Sequence, residues 1–376
     1  MNVHIRTIKD ADEISRIQDS WDSLASRCSR NPFLLTDLVR PFIPLDKANG
    51  WNPLIVTISD EKRLLGVVPL TVKRVYGLKL ARFIVKPSHS PDFIICSKDR
   101  NSYASLSIDY IFNHLGCQIL SLGFEGKSQD SRSLMHDFKA LGIHYSSGSQ
   151  MGHRVLPITL TWEEFERLKG GKFRRKFRKI ERNLDNLGAW KIIHMVGSEV
   201  GQEILDKILE VERESWKETW RAKKGSDIDD VLMAIWSGLK GVTKTRSDLE
   251  WGVYFLEVEG HPIAYSLVIC YAGVAYITKT SYKAQYRRFY PGIYINHAAI
   301  RNLWNTRTYR LIDFLTDLQF METWTDIVVE RCVFVMSKNP FLPLVIGSFL
   351  LNDKIKKRMG ATFKKAIERF PLFTAI

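Results

Sequence analysis

A chain of 376 residues is longer than one hydrophobic core usually serves, so two domains are expected. Hydrophobic residues at 45% and charged ones at 26% describe an ordinary globular protein, which excludes wholesale disorder, and no apolar run reaches the roughly 18 residues that a membrane-spanning helix needs. The net charge of +14 calls for an anionic partner, whether a phosphorylated cofactor, nucleic acid or an anionic membrane surface.

The N-terminus, MNVHIRTIKDADE, lacks the hydrophobic core of a secretory leader, which points to the cytoplasm. A short strand over Val3 to Ile8 leads into a helix with Ile14, Ile17, Trp21, Leu24 and Ala25 on one face, capped by Asp10 or Asp12. Asn31-Pro32-Phe33 interrupts that pattern and Leu34 to Phe42 resumes it. Strands follow at Pro53 to Ser59, Leu64 to Val72, Leu80 to Val85 and Phe93 to Cys96, with Asp60-Glu61-Lys62 as a hairpin turn. Helices over 102–115 and Ser131 to Leu141 alternate with strands at Gln118 to Leu122 and Ile143 to Ser147. This is a mixed α/β domain ending near Leu156. A loop histidine beside a loop aspartate, His89 and Asp92 in KPSHSPDF, is more often structural than functional. The five cysteines, Cys28, Cys96, Cys117, Cys270 and Cys332, are far apart and without C-x-x-C spacing. That argues against a disulfide framework and a zinc site, and they read as reduced core thiols.

In the second half, Thr161-Trp162-Glu163-Glu164 opens a helix with a capping box. Phe173, Phe177, Ile180, Leu184 and Leu187 then recur every three or four residues, while Lys172, Arg174, Arg175, Lys176, Arg178, Lys179 and Arg182 cover the other faces. An amphipathic basic helix runs up to Gly188. Its Lys172, Arg175, Lys176 and Lys179 are candidates to hold a phosphorylated acceptor; the plainer reading is a solvated face. Trp190 to Val196 is a strand, Val200 to Trp220 and Val231 to Leu239 are helices, and Trp251 to Val258 pairs with Ile263 to Cys270 across Glu259-Gly260. This order repeats that of the first half and suggests a duplicated fold.

Gly273 then turns the chain into the stretch on which a functional reading rests. The run from Ala275 to Ile277 leaves a core as a strand, a basic loop carries Arg287 and Arg288, and from Ile293 the apolar residues Ile295, Ala298, Ala299, Leu303 and Trp304 recur at helical spacing. Pro291 and Gly292 therefore open a helix. Free amides at a helix start, the positive end of its dipole and two arginines form an anion site suited to a phosphate or pyrophosphate; otherwise the arginines are solvated and Pro-Gly only marks a turn. Tyr309 to Leu315 follows as a strand with Asp313, then Asp317. Val328 to Met336 is a closing strand, and residues 339–376 form a basic amphipathic tail able to lie on a membrane surface or to pack on its own domain. No His pair at ligand spacing and no G-x-S-x-G occur, so metal and nucleophile enzymes rank low and no metal is expected.

NPF after an early Trp helix, the PL of GVVPLTV, PDFIIC, the basic run in the middle of the chain, and SYKAQYRRFYPG followed by DFLTD together resemble GNAT-type acyltransferases. The branch is the one named for cellulose biosynthesis (CelD/BcsL type), related to FemAB-like peptidoglycan transferases. The resemblance runs from about residue 3 to 337. It implies an α/β (α+β) fold of two tandem GNAT-like domains, 1–156 and 157–338, each a mixed, mostly antiparallel sheet flanked by helices, with the tail outside. It also implies acetyl-CoA or another acyl-CoA as donor, and an amine acceptor such as a nucleotide sugar or lipid-linked sugar. Arg287, Arg288, Tyr290, Pro291 and Gly292 stand at the pyrophosphate-binding turn, with Tyr290 in place of a serine. Tyr282 matches the aromatic of a Tyr-Asp-Pro element whose other members are here Lys283 and Ala284. Asp313 and Asp317 match paired acidic residues, and an aromatic-lysine pair has become Phe320-Met321.

Acyl transfer to an amine needs a held donor, a base for the ammonium proton and groups facing the developing oxyanion. Asp317 or Asp313 is the candidate base, and Tyr282 the candidate proton donor to the leaving thiolate. Two rivals remain: a FemAB-like aminoacyl transferase, and a non-catalytic transferase fold that docks through its basic helices on a membrane or nucleic acid. Met321 favours the second rival and the arginine-Pro-Gly turn disfavours it. Nucleic acid ranks low because Phe173 and Phe177, at core spacing, face inward rather than stack on bases.

Overall fold

The computed structural model of the protein describes residues 3–61, 63–84, 91–96, 100–125, 138–197, 201–215 and 230–344. His89, the tail from 345 onward, most of the helix expected from Ser131 and the end of the one expected from Val200 lie outside the described residues. In chain order the elements are β1 (His4–Ile8), α1 (Ala11–Arg16), α2 (Gln18–Cys28), α3 (Thr36–Val39), α4 (Phe42–Ala48), β2 (Asn52–Ser59), β3 (Leu64–Val75), β4 (Leu78–Phe83), β5 (Ile94–Ile95), α5 (Arg100–Asn113), β6 (Ile119–Glu125) and β7 (His144–Pro157). Then come α6 (Trp162–Asp185), β8 (Trp190–Val196), α7 (Gly201–Arg213), α8 (Asp230–Thr245), β9 (Leu249–Val258), β10 (His261–Tyr271), β11 (Val274–Tyr282), α9 (Pro291–Asn305), β12 (Leu311–Asp313) and β13 (Val328–Ser337).

The chain divides into two compact units, one of residues up to Gly152 with those from Val329 onward, the other of His153–Val328. In the first, β1 to β4 pair in sequence as an antiparallel meander, β6 joins β4 in parallel after a crossover through α5, and β13 pairs antiparallel with β6. Its core gathers the alternate residues Leu54, Val56 and Ile58 of β2 with Val68 and Leu70, and with Ile108 and Ile111 of α5. In the second, β8 to β11 form the meander, α9 carries the crossover to the parallel strand β12, and Val155 to Pro157 of β7 pair antiparallel with β12. The protein is thus a mixed α/β duplication in which, among the described residues, each unit has a parallel strand pair with a helix bridging it. The strand expected over Val328 to Met336 forms, but its partner β6 places it in the first unit's sheet.

Local chemistry explains most boundaries. Asp10 caps α1, its Oδ1 accepting from Glu13 N at 2.8 Å, but Ile17 (φ −105°, ψ 4°) breaks the single expected helix into α1 and α2. Asp60 Oδ1 accepts from Arg63 N at 2.8 Å across the β2–β3 turn. Thr161 and Glu164 cap α6 reciprocally as expected, and Gly170 (φ 79°) kinks that helix just before its basic stretch.

The expectation of five reduced thiols is corrected. Cys28 and Cys96 form a disulfide with Cα atoms 4.6 Å apart, while Cys117 and Cys270 are buried thiols and Cys332 is half-buried. The end of α2 meets the end of β5, a proximity across 68 residues of sequence that spacing alone does not reveal.

Candidate functional site

The second unit's sheet opens at one place. β12 pairs with β11 only at Val274, Ala275 and Tyr276, and β11 then continues to Tyr282 with no strand on that edge among the described residues. On its other edge the β10 register slips, so that Leu267 faces Lys279 while Val268 faces Ile277, leaving Thr278 unopposed. The Thr278 hydroxyl fills the irregularity by donating to Leu267 O at 3.0 Å. A bulge of this kind bends the strand that carries it, here at the point where β11 and β12 part.

α9 begins beside that opening. Tyr290, in the left-handed region at φ 55°, is its N-cap, and Ile293 N and Tyr294 N both donate to Tyr290 O at 3.1 Å. Pro291 has no N–H to satisfy, which leaves the Gly292 amide without an acceptor among the described residues. The ring of Tyr282 covers this glycine so closely that a Cβ on Gly292 would lie 2.9 Å from Tyr282 Cδ1. Gln285, Arg287, Arg288 and Tyr290 line an open groove of about 510 Å³. Arg287 and Arg288 are exposed, and neither has a carboxylate partner among the described residues. One turn into α9, fully buried Asn296 accepts at Oδ1 from the hydroxyls of Thr280 (2.8 Å) and Ser266 (3.0 Å), which locks the helix to β10 and β11.

The structure therefore brings Tyr282, Pro291 and Gly292 together, with Arg287, Arg288 and Tyr290 in the adjoining groove. The acidic candidates sit elsewhere in the unit. Asp313 is buried in register with Tyr276, six residues before Tyr282 and so roughly 20 Å away along β11. Its Oδ1 lies 2.7 Å from His153 Nδ1 and accepts from Leu315 N at 2.7 Å. Asp317 lies 2.7 Å from Arg154 Nε, a charge contact without hydrogen-bond alignment, and is 28% exposed at its side chain. Arg154 also donates to Glu322 (3.0 Å) and to Thr325 O (3.1 Å). Nothing local in the sequence marks His153 and Arg154, adjacent on β7, as partners of residues more than 150 positions away.

On α6, Phe173, Phe177, Ile180 and Leu184 are buried as the periodicity predicts, and Lys172, Arg175 and Lys179 are exposed. Lys176 differs. It is half-buried, donates to Thr323 Oγ1 at 2.8 Å, and burial holds its amine below the ordinary lysine range. Lys283 is tied to Glu210 (2.8 Å) and Glu214 (3.1 Å); burial lowers its amine, but the two carboxylates more than offset this and hold it above the ordinary range. His297 of α9 stacks on Phe177 with ring centroids 3.5 Å apart, and burial pushes its imidazole down to about 3. Among the described residues no group of His, Cys, Asp and Glu could hold a metal ion, and no helix is long and apolar enough to cross a membrane.

Residues 171–320 match the family model of the acetyltransferase (GNAT) domain. The second unit has the fold of a GNAT-family acyltransferase. Among solved structures the chain is similar to FemX, at 12% identity and a TM-score of 0.58, with 90% of this chain and 99% of that one covered. It is also similar to the C-terminal domain of a putative lysylphosphatidylglycerol synthetase from Agrobacterium fabrum (12% identity, TM-score 0.53, 92% and 99% covered). A tandem GNAT protein from the clavulanic acid biosynthesis pathway matches at 12% identity and a TM-score of 0.50, with 90% and 99% covered. At such identities the likeness is one of fold, and the tandem GNAT arrangement agrees with the duplication described above. No curated protein sequence matches the chain.

Proposed function

We propose that the second unit is an acyl-CoA-dependent N-acyltransferase that delivers an acyl group, acetyl in the simplest case, to an amine on an envelope- or polysaccharide-related acceptor. The observation that carries this reading is the parting of β11 from β12 beside the unpaired Gly292 amide. An extended pantetheine arm carries amides that match the unpaired edge of β11, as any strand added to a sheet edge does. Its diphosphate then falls at the α9 start, where the Gly292 N–H and the helix dipole favour negative charge, with the exposed Arg287 and Arg288 lining the groove beside Tyr290 as further cations.

In the reaction the acceptor nitrogen attacks the thioester carbonyl, its proton passes to a base, and the thiolate leaves. Tyr282 lies against Gly292, at the diphosphate end of the donor's path and a pantetheine arm from the thioester, so its part is to close over the helix start, and the thiolate takes its proton from solvent. Asp317 is the better placed of the two aspartates for the base, since Asp313 is enclosed by His153 and Leu315 N whereas Asp317 retains contact with solvent. Titration calorimetry with acetyl-CoA, longer acyl-CoAs and free CoA tests the proposal. Binding of all three, with most of the affinity retained by free CoA, is expected; no heat from any of them overturns it.

A further inference from the structure

The basic stretch of α6 has a feature that donor binding does not use. Lys172, Arg174, Arg175, Arg178, Lys179 and Arg182 are all exposed, and none pairs with a carboxylate among the described residues. The stretch contains acids, but they are turned elsewhere: Glu181 accepts from Tyr294 OH at 3.0 Å and Asp185 from Trp190 Nε1 at 2.8 Å. Arg174, Arg178 and Arg182 follow one another at four-residue spacing, as do Arg175 and Lys179, so like charges stand side by side and weaken the isolated helix. Phe173, Phe177, Ile180 and Leu184 fix the opposite side in the core, so Arg175 and Arg182 point directly outward with the others flanking them.

This face is convex, and its cations spread over roughly 15 Å of helix from Lys172 to Arg182. A single phosphate is held by converging groups, whereas a row of diverging cations suits an extended anionic surface. Two observations favour lipid over nucleic acid. The aromatic residues of the stretch are buried and cannot stack on bases. Leu168, just before the Gly170 kink, is 76% exposed, and an apolar side chain beside cations gains from the interfacial layer of a bilayer but not from phosphodiesters.

We infer that the exposed basic face of α6 docks the protein on an anionic lipid bilayer. α6 packs against the 284–289 turn that carries Arg287 and Arg288, so docking sets the candidate donor groove close to the lipid surface. The docking stands apart from acyl transfer; only its consequence, an amine acceptor carried at that surface, rests on the function proposed above.

The test is co-sedimentation of the full chain with vesicles of phosphatidylcholine, with and without phosphatidylglycerol. Binding only to the phosphatidylglycerol vesicles, weakening as salt rises, is expected. The combined variant Arg175→Gln, Arg178→Gln, Lys179→Gln and Arg182→Gln should bind on the order of 100-fold more weakly. A control with the same charge removed from exposed positions elsewhere, Lys47→Gln, Arg74→Gln, Lys139→Gln and Lys240→Gln, should bind as the wild type does, and circular dichroism confirms that both variants fold. Equal loss in the control, no binding of the wild type, or displacement from vesicles by duplex DNA at equal phosphate concentration would each overturn the inference. Because no acyl-CoA is present, failure here leaves the donor-site reading untouched, and failure of donor binding leaves this result standing.

Discussion

Replacing Gly292 by alanine puts a methyl group where the Tyr282 ring lies, at 2.9 Å from Cδ1 and 3.3 Å from Cε1. Carbon atoms in contact prefer about 3.5–4.0 Å, so the ring or the first turn of α9 must move. Overpacking of this kind costs about 1–3 kcal/mol. The substitution also brings a gain, because alanine favours the helix and narrows the unfolded ensemble by up to about 1 kcal/mol relative to glycine. The expected net effect is a loss of about 1 kcal/mol. With Tyr282→Ala already in place the ring is absent, and the same substitution becomes stabilising by about 0.5–1 kcal/mol. The coupling between the two sites is thus about 1.5–2 kcal/mol, well above the scatter of independent positions. Urea denaturation followed by tryptophan fluorescence measures it, since every tryptophan except Trp21 and Trp51 belongs to the second unit. If Gly292→Ala has the same effect in both backgrounds, Tyr282 does not cover the helix start and the geometry of the donor site is wrong.

Arg287→Ala with Arg288→Ala should weaken CoA by about 2 kcal/mol, near 30-fold, with a shallower salt dependence; because both groups are exposed and screened, each is taken at about 1 kcal/mol, below the range of a buried charge-assisted contact. Unchanged affinity in calorimetry places the diphosphate elsewhere. His297, held down to about 3 against an ordinary 6.5, remains neutral in the folded protein while the unfolded chain takes up its proton, so stability falls as pH drops from 6.5 towards 3, by about 1.4 kcal/mol per pH unit from this residue. His297→Leu should flatten that part of the denaturation profile, and an unchanged slope refutes the assignment. His153→Ala leaves Asp313 buried with only the Leu315 amide, at an expected loss of about 3 kcal/mol; a loss below 1 kcal/mol by thermal or urea denaturation counts against a buried pair. Thiol titration of the denatured, unreduced chain should find three free cysteines, and reduction should lower stability by about 4 kcal/mol for a bridge spanning 68 residues; five free thiols would contradict the Cys28–Cys96 pairing.

Residues 291–305 show how far local pattern reaches. Pro-Gly followed by apolar residues every three or four positions announces a helix and its first residue, and α9 starts there. The basic helix was equally legible, because Phe173, Phe177, Ile180 and Leu184 recur with the helical period and all four are buried. Asp313 and Asp317 were legible as acids at a strand end, but not the partners that hold them. Those partners, His153 and Arg154, arrive from β7, a strand whose length past Ser147 no alternation in the sequence announces.

The period of hydrophobic residues, the caps and the turn chemistry are properties of a few neighbouring residues, so the sequence alone determined most of the elements, the outward face of α6 and the start of α9, but not the break at Ile17 or the length of β7. Pairing between distant segments is decided by packing over the whole sheet. Only the tertiary structure settled that β12 leaves β11 after three residues, that Tyr282 closes over Gly292, that β13 joins β6 and that Cys28 meets Cys96. The physical reason is that contacts across tens to hundreds of residues depend on which surfaces bury one another best, and no window of sequence short enough to carry a period contains both sides of such a contact.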